Sequence, residues 1–108
     1  MGLFGFGKKK SKKDDGTLIV DLHADEVLET TAGMNSADIL HYQMDIFKKT
    51  MADNKKNKGQ KIIFIHGKGE GVLRQALIHE LNYRYKNCTY QDASFQEYGY
   101  GATQVTIR

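Results

Sequence analysis

The stretch KIIFIHGKGEGVLRQAL, residues 61–77, joins an apolar run to a glycine-rich turn and then to an amphipathic run. The first part is continuously apolar and of strand length, which is typical of a strand covered on both faces. After the turn, apolar residues recur at helical spacing over residues 72–85. The stretch therefore predicts a buried strand, a tight turn and a helix whose inward side chains are Leu73, Ala76, Leu77 and Leu81.

The segments on either side extend this pattern. Residues 17–23, TLIVDLH, form a β-rich run, and a capped amphipathic helix follows it with Leu40, Met44, Phe47 and Met51 on one face. Residues 88–94, CTYQDAS, and residues 103–108, TQVTIR, indicate two further strands. The predicted order is β-α-β-α-β-β, an α/β two-layer sandwich with a four-stranded mixed sheet and two main helices.

The order of these elements brings polar residues together. A strand, a helix and a strand in succession form a parallel pair through a right-handed crossover, so both strands end at the same edge of the sheet. Open α/β sheets bind ligands at that edge. Asp21 and His23 end the first strand and His66 ends the second, so we expect these three side chains to converge and to act in catalysis.

The turn itself predicts a phosphate site. Gly67, Gly69 and Gly71 allow a phosphate to approach the backbone N–H groups at the start of a helix. Lys68 adds a point charge and Arg74 a forked donor. The alternative is a tight turn that needs glycine only for its positive φ angles.

Charge is unevenly distributed along the chain. The first fifteen residues carry five lysines and two aspartates, which gives +3; the whole chain is also +3, so residues 16–108 are neutral. A Gly- and Lys-rich segment has little to bury, and we expect residues 1–16 to form a disordered basic tail. Such a tail acts as a solubilising segment, as an arm that attracts nucleic acid, or as a contact with a membrane surface.

The remaining composition indicates a cytoplasmic protein. Cys88 is the only cysteine of the 108 residues, so no internal disulfide forms and a reducing compartment fits. No apolar run approaches the roughly 18–20 residues that span a bilayer, so no stable membrane insertion is expected.

The motifs VDLH, IHGKGEGVLR and YGYGATQVTI, in this order, resemble the small MutS-related, or Smr, domain over residues 17–108. The resemblance implies a fold similar to the C-terminal domain of bacterial translation initiation factor three. It also implies nucleic-acid binding, with nicking of DNA or cleavage of RNA in some members. By matching position, it implies functional roles for Asp21, His23, His66, Gly67, Lys68, Gly69, Arg74, Gly99, Gly101 and Thr103.

Three acidic residues follow the first strand. Asp25, Glu26 and Glu29 repel a phosphate backbone unless a cation lies among them. Together with Asp21 they offer oxygen ligands suited to Mg²⁺ or Mn²⁺, and the alternative is that they face solvent.

Three functions remain open from the sequence. The first is an endonuclease in which His23 transfers protons, Asp21 orients it, His66 is the second acid–base group and the turn stabilises charge on the phosphate. RNA is favoured over DNA because its 2′-hydroxyl is a nucleophile that needs no metal. The second is a non-catalytic module that binds nucleic acid or the ribosome, and the third is a protein-interaction domain.

Overall fold

The structure, a computed structural model, describes residues 10–13, 15–24, 28, 30–67, 71–98 and 101–108. Its described elements alternate strands and helices and confirm the α/β class. They are β1 (Lys10–Lys12), β2 (Leu18–Asp21), α1 (Ser36–Asp53), β3 (Lys61–Ile65), α2 (Val72–Arg84), β4 (Thr89–Asp92), α3 (Phe95–Tyr98) and β5 (Ala102–Thr106).

The sheet has the order β1-β2-β3-β5-β4. Strands β2 and β3 are parallel, with Asp21 opposite Ile65, and the other neighbours are antiparallel. Strand β5 starts beside the end of β3, with Ala102 opposite Ile65. The ends of β2 and β3 and the start of β5 therefore meet at one edge, which we call the carboxyl edge.

Strand β1 is a difference from the prediction. The sequence predicts a disordered tail over residues 1–16, whereas Lys10–Lys12 pair with β2 as a fifth strand. Lys13 then donates to the carboxylate of Glu97 at 2.6 Å, and this bond raises the pKa of Lys13. Residues 1–9 and Asp14 lie outside the described residues, and for them the tail stays a prediction.

Helices α1 and α2 cover one face of the sheet, as the periodicity predicted. Helix α1 begins with a capping box, in which Asn35 accepts from the Asp38 N–H and Asp38 accepts from the Asn35 N–H. The rings of Phe47 and Phe64 meet edge to face at 4.9 Å between centroids. Around them lies the main core: Val20, Leu22, Met44, Ile46, Met51, Ile62, Leu73, Leu77, Leu81, Val105 and Ile107.

The opposite face of the sheet carries a smaller cluster. Ile63, Ala93 and Ala102 are buried there, and Tyr98 of α3 packs against them. Successive side chains of a strand alternate between faces, so Asp21, paired with Ile65, lies on this side, while Phe64 lies under the helices. Among the described residues, no helix is long and apolar enough to cross a membrane.

Candidate functional site

Asp21 and His23 form a bonded pair at the end of β2. The His23 Nδ1–H donates to the Asp21 Oδ1 at 2.7 Å, and the His23 backbone N–H donates to the same oxygen at 2.9 Å. A carboxylate only accepts, so Nδ1 carries a proton, and in the neutral imidazole Nε2 is the atom with the lone pair. The His23 side chain is 46% exposed and that of Asp21 27% exposed, so the pair is accessible from solvent. The pair thus has the geometry of an oriented base.

Gly67 lies directly against this histidine. Its φ is +81°, and a Cβ atom built on it would be 2.8 Å from His23 Nε2. A larger residue at position 67 would therefore be strained in its backbone and would displace the imidazole. The sequence predicts that the side chains of Asp21, His23 and His66 converge; in the structure Asp21 and His23 are bonded to each other and Gly67 lies against His23.

The backbone of Gly101 packs closely against that of Gly67. Its carbonyl accepts from the backbone N–H groups of His66 at 2.8 Å and Gly67 at 2.9 Å. A Cβ on Gly101 would be 2.6 Å from the Gly67 Cα atom, so only glycine fits. The expectation that the Gly67 N–H binds a phosphate is therefore wrong, because that N–H is already bonded within the sheet. Gly67 and Gly101 serve close packing of two backbones.

His66 points under the helices, away from the Asp21 side. It is 8% exposed, its Nδ1 bonds the Gly67 carbonyl at 3.0 Å and its Nε2 bonds the Thr103 hydroxyl at 2.9 Å. Burial lowers the pKa of His66, and the nearby charge of Arg74 acts in the same direction. The Gly67 carbonyl only accepts, so Nδ1–H donates to it, and in the neutral ring Nε2 accepts from the Thr103 hydroxyl. This geometry contradicts a role for His66 as a free acid–base group, and it makes His66 a support for the turn.

The remaining predicted phosphate contacts differ in their surroundings. Thr103 is 2% exposed and its hydroxyl is bonded to His66, so it does not face a ligand. Arg74 donates to Asp92 at 3.1 Å through an exposed pair, which a phosphate can replace. Gly71 has a φ of +80° and is the N-cap residue of α2. Lys68, Gly69 and Gly99 lie outside the described residues, so their roles stay predictions.

A groove of about 510 Å³ lies between the N-terminal ends of α1 and α2. His66 and Gly67 line it from the sheet, and Arg74 lines it from α2. The sequence analysis missed the contribution of α1, above all Gln43, whose amide donates to the Leu22 carbonyl at 2.8 Å and so fixes the end of β2. The sequence does hold one indication of this role: Gln43 is a polar residue that lies between the inward-facing Leu40 and Met44 of α1.

The described residues do not assemble a metal site. Within them, no group of three or more His, Cys, Asp or Glu side chains is placed to hold an ion. One oxygen of Asp21 is taken by His23. Asp25, Glu26 and Glu29, on which the prediction of Mg²⁺ or Mn²⁺ depends, lie outside the described residues.

The fold and site together define an α/β two-layer sandwich with an aspartate–histidine pair beside a glycine-supported turn. The family model of the Smr domain matches residues 33–108, and the chain belongs to this family. Smr domains are in general nucleic-acid-binding domains. The matched residues include His66, Gly67 and Gly101, whereas Asp21 and His23 precede them. No match was found among curated proteins, and none among solved structures.

Proposed function

We propose that this domain binds RNA and cleaves it at a phosphodiester, with His23 as the general base. The observation that carries the proposal is the Nε2 atom of His23, which has no hydrogen-bond partner among the described residues and which Asp21 orients through Nδ1 at the carboxyl edge. Imidazole exchanges protons at neutral pH, and a positioned base contributes roughly 10²–10⁴-fold to a rate. RNA is the favoured substrate because its own 2′-hydroxyl serves as the nucleophile.

In the proposed reaction, His23 Nε2 takes the proton of the 2′-hydroxyl. The 2′-oxygen attacks the adjacent phosphorus, the bond from phosphorus to the 5′-oxygen breaks, and the leaving oxygen takes a proton from solvent. The products are a 2′,3′-cyclic phosphate and a 5′-hydroxyl. Asp21 keeps the imidazole in the required tautomer and stabilises the imidazolium that forms, without itself accepting the proton.

Charge on the phosphate requires donors near His23. Arg74 is the described cation of the groove, and its exposed bond to Asp92 is replaceable by a phosphate oxygen. Lys68 and the N–H groups of Gly69 and Gly71 belong to the same proposal. A reducing, cytoplasmic location is also proposed, because Cys88 is a free thiol.

A cleavage assay with labelled single-stranded RNA tests the proposal. His23→Ala should lower the cleavage rate by about 100-fold or more, since it removes the base. His79→Ala is the matched control: His79 is an exposed histidine in the middle of α2, and its loss should leave the rate unchanged. Circular dichroism checks that both variants fold, and replacing the 2′-hydroxyl by 2′-methoxy should abolish cleavage. A His23→Ala variant that cleaves as fast as the parent removes His23 from the mechanism.

The second candidate function is a non-catalytic module that binds nucleic acid or the ribosome. The bonds of His66 favour it, because they leave His23 as the one described histidine at this edge with a free ring nitrogen. In that case the parent should bind RNA without cleaving it, with and without chelator. Cleavage that a chelator abolishes would instead indicate a metal-dependent nuclease.

A further inference from the structure

Cationic side chains gather at the end of the sheet opposite His23. The loop from α1 to β3 carries Lys55 and Lys58, and Lys61 begins β3. The Gly59 N–H donates to the Ile107 carbonyl, and the Ile107 N–H donates to the Gln60 carbonyl, so this loop and the residues after β5 are held together. Arg84 ends α2 at the same end of the molecule. We call this surface the basic end: Lys55, Lys58, Lys61, Arg84 and Arg108.

Four of the five cations of the basic end are unpaired among the described residues, and the fifth, Arg84, lies 3.1 Å from Glu80 with an exposed guanidinium that can bind a phosphate instead. Lys55, Lys58, Lys61 and Arg108 are exposed, and none of them forms an ion pair within the described part of the chain. Asp15 lines a shallow depression with Lys58 and Lys61. The Thr17 N–H lowers the pKa of Asp15, and the charges of Lys13 and Lys61 act in the same direction. Although the net charge of residues 16–108 is zero, the positive charges are concentrated at the basic end.

The carboxyl edge has the opposite character. Asp21, Asp38 and Asp92 lie there, and Arg74 is already paired with Asp92. Arg74 is the described cation of this edge, and its bond to Asp92 must be exchanged before a phosphate binds it. A polyanion that meets His23 is therefore attracted more weakly there than at the basic end.

A cleft of about 320 Å³ opens within the basic end. Met51, Tyr85 and Ile107 give it apolar walls, while Lys55, Arg84 and Arg108 surround it with positive charge. The Tyr85 ring packs edge-on against Phe47, at 5.8 Å and 90°, so it is held rigidly. Aromatic side chains beside cations are the combination on which single-stranded nucleic acids stack their bases and place their phosphates.

We propose that the cleft of the basic end is an anchor site for one nucleotide of a single-stranded RNA. Its base lies against Tyr85, the partly exposed aromatic side chain of the cleft, and its phosphates contact Lys55, Arg84 and Arg108. A nucleic acid fits better than a membrane, because the large exposed apolar residues of the described chain, Tyr42, Val72, Tyr83 and Tyr90, do not line this cleft. The inference rests on the proposed function, since it takes RNA as the ligand of the His23 site.

The anchor site sets a minimum length for the substrate. The five residues of β3 separate the basic end from Gly67, and at about 3.3 Å per residue they span roughly 17 Å. A stacked strand that advances about 3.4 Å per nucleotide covers this distance with about five nucleotides. An RNA of fewer than about five nucleotides reaches only one of the two sites. When such a short RNA binds at the carboxyl edge, its affinity should not depend on Lys55.

Binding of a ten-nucleotide RNA, measured by fluorescence anisotropy over a range of salt, tests the anchor site. Lys55→Gln should reduce the slope of log K against log salt by about 0.7, which is about fivefold weaker binding at 0.1 M salt. Lys48→Gln is the matched control, because Lys48 is also an exposed, unpaired lysine of the described chain but lies on α1 outside the cleft. Amide NMR signals of residues 84–88 should shift when the RNA is added.

The possible results separate the two proposals. RNA binding by the parent with equal slopes for Lys55→Gln and Lys48→Gln, or with NMR shifts confined to the carboxyl edge, overturns the anchor site and leaves the proposed function standing. No RNA binding by the parent overturns both. Binding of anionic phospholipid vesicles that depends on Lys55, without such dependence for RNA, also overturns the anchor site and assigns the basic end to a membrane.

Discussion

Replacing Gly67 by alanine tests whether the histidine site depends on the missing Cβ atom. Gly71→Ala is the matched comparison, because the φ angles of the two glycines are +81° and +80° and both flank the same turn. A Cβ at Gly67 would lie 2.8 Å from His23 Nε2, whereas at Gly71 it would have no described atom within 4 Å. The two variants therefore share the backbone strain and differ in their contact with His23.

The difference in stability follows from these contacts. The left-handed backbone costs an L-residue about 1–2 kcal/mol, and this is common to both variants. In Gly67→Ala the imidazole must also move, which breaks its bond to Asp21. Hydrogen bonds to charged groups contribute about 1.5–3 kcal/mol, and the partial exposure of His23 reduces this to about 1 kcal/mol. Gly67→Ala should therefore melt roughly 4–8 °C below Gly71→Ala.

Thermal unfolding followed by circular dichroism measures this difference. Long-range ¹H–¹⁵N spectra of the imidazole report the tautomer of His23. In Gly71→Ala the ring should keep the single tautomer with the proton on Nδ1, whereas in Gly67→Ala it should no longer be held in that tautomer. Equal melting temperatures together with an unchanged His23 tautomer in both variants would refute the account of Gly67 as the residue that makes room for the imidazole.

Three further predictions concern the supports of the site. Gly101→Ala forces a Cβ to 2.6 Å from the Gly67 backbone and should lower the free energy of unfolding by about 2–4 kcal/mol in urea titrations. The loss should exceed that of Gly33→Ala, whose Cβ meets no described atom, and a smaller loss contradicts the packing argument. Burial lowers the pKa of His66 below its reference value of 6.5, so its contribution to stability is complete above pH 6.5 and is lost as pH falls through the folded-state pKa. His66→Gln should therefore flatten the decline in stability between pH 7.5 and pH 5, and an identical decline in parent and variant argues against it. Asn35→Ala removes the capping box of α1 and should destabilise the domain by about 1 kcal/mol in thermal melts, and an unchanged melting temperature would show that this cap is dispensable.

The main elements of the fold were predictable because their apolar residues repeat with the periods of strands and helices. Strand β1 was missed because Lys10–Lys12 contain no apolar residue, and their pairing with β2 depends on an open strand edge that the local sequence does not reveal. Helix α3 has four residues, too few for a periodic pattern. Both elements depend on tertiary contacts, such as the bond between Lys13 and Glu97.

The candidate site was predictable in its location and less so in its roles. The parallel strands β2 and β3 end beside each other, which places His23 against Gly67, whereas the side chain of His66 lies on the other side of the sheet. The opposite orientation of His66 follows from alternation along β3, since His66 is two residues after the buried Phe64 and shares its side. The hydroxyl of Thr103 that fixes the His66 ring lies far away in sequence, so only the structure reveals the bond.

The carbonyl of Gly101 also determines when the site forms during synthesis. Domains emerge from the ribosome with the N-terminal part first, and contacts between distant segments form slowly because they close long loops. The turn at His66 and Gly67 is held by Gly101, which directly precedes β5, the last strand of the described chain. Asp21 and His23 are made early but lie against an unfixed turn until β5 joins the sheet. A nascent chain that stops before Gly101 therefore carries both residues of the pair without the surface that positions them.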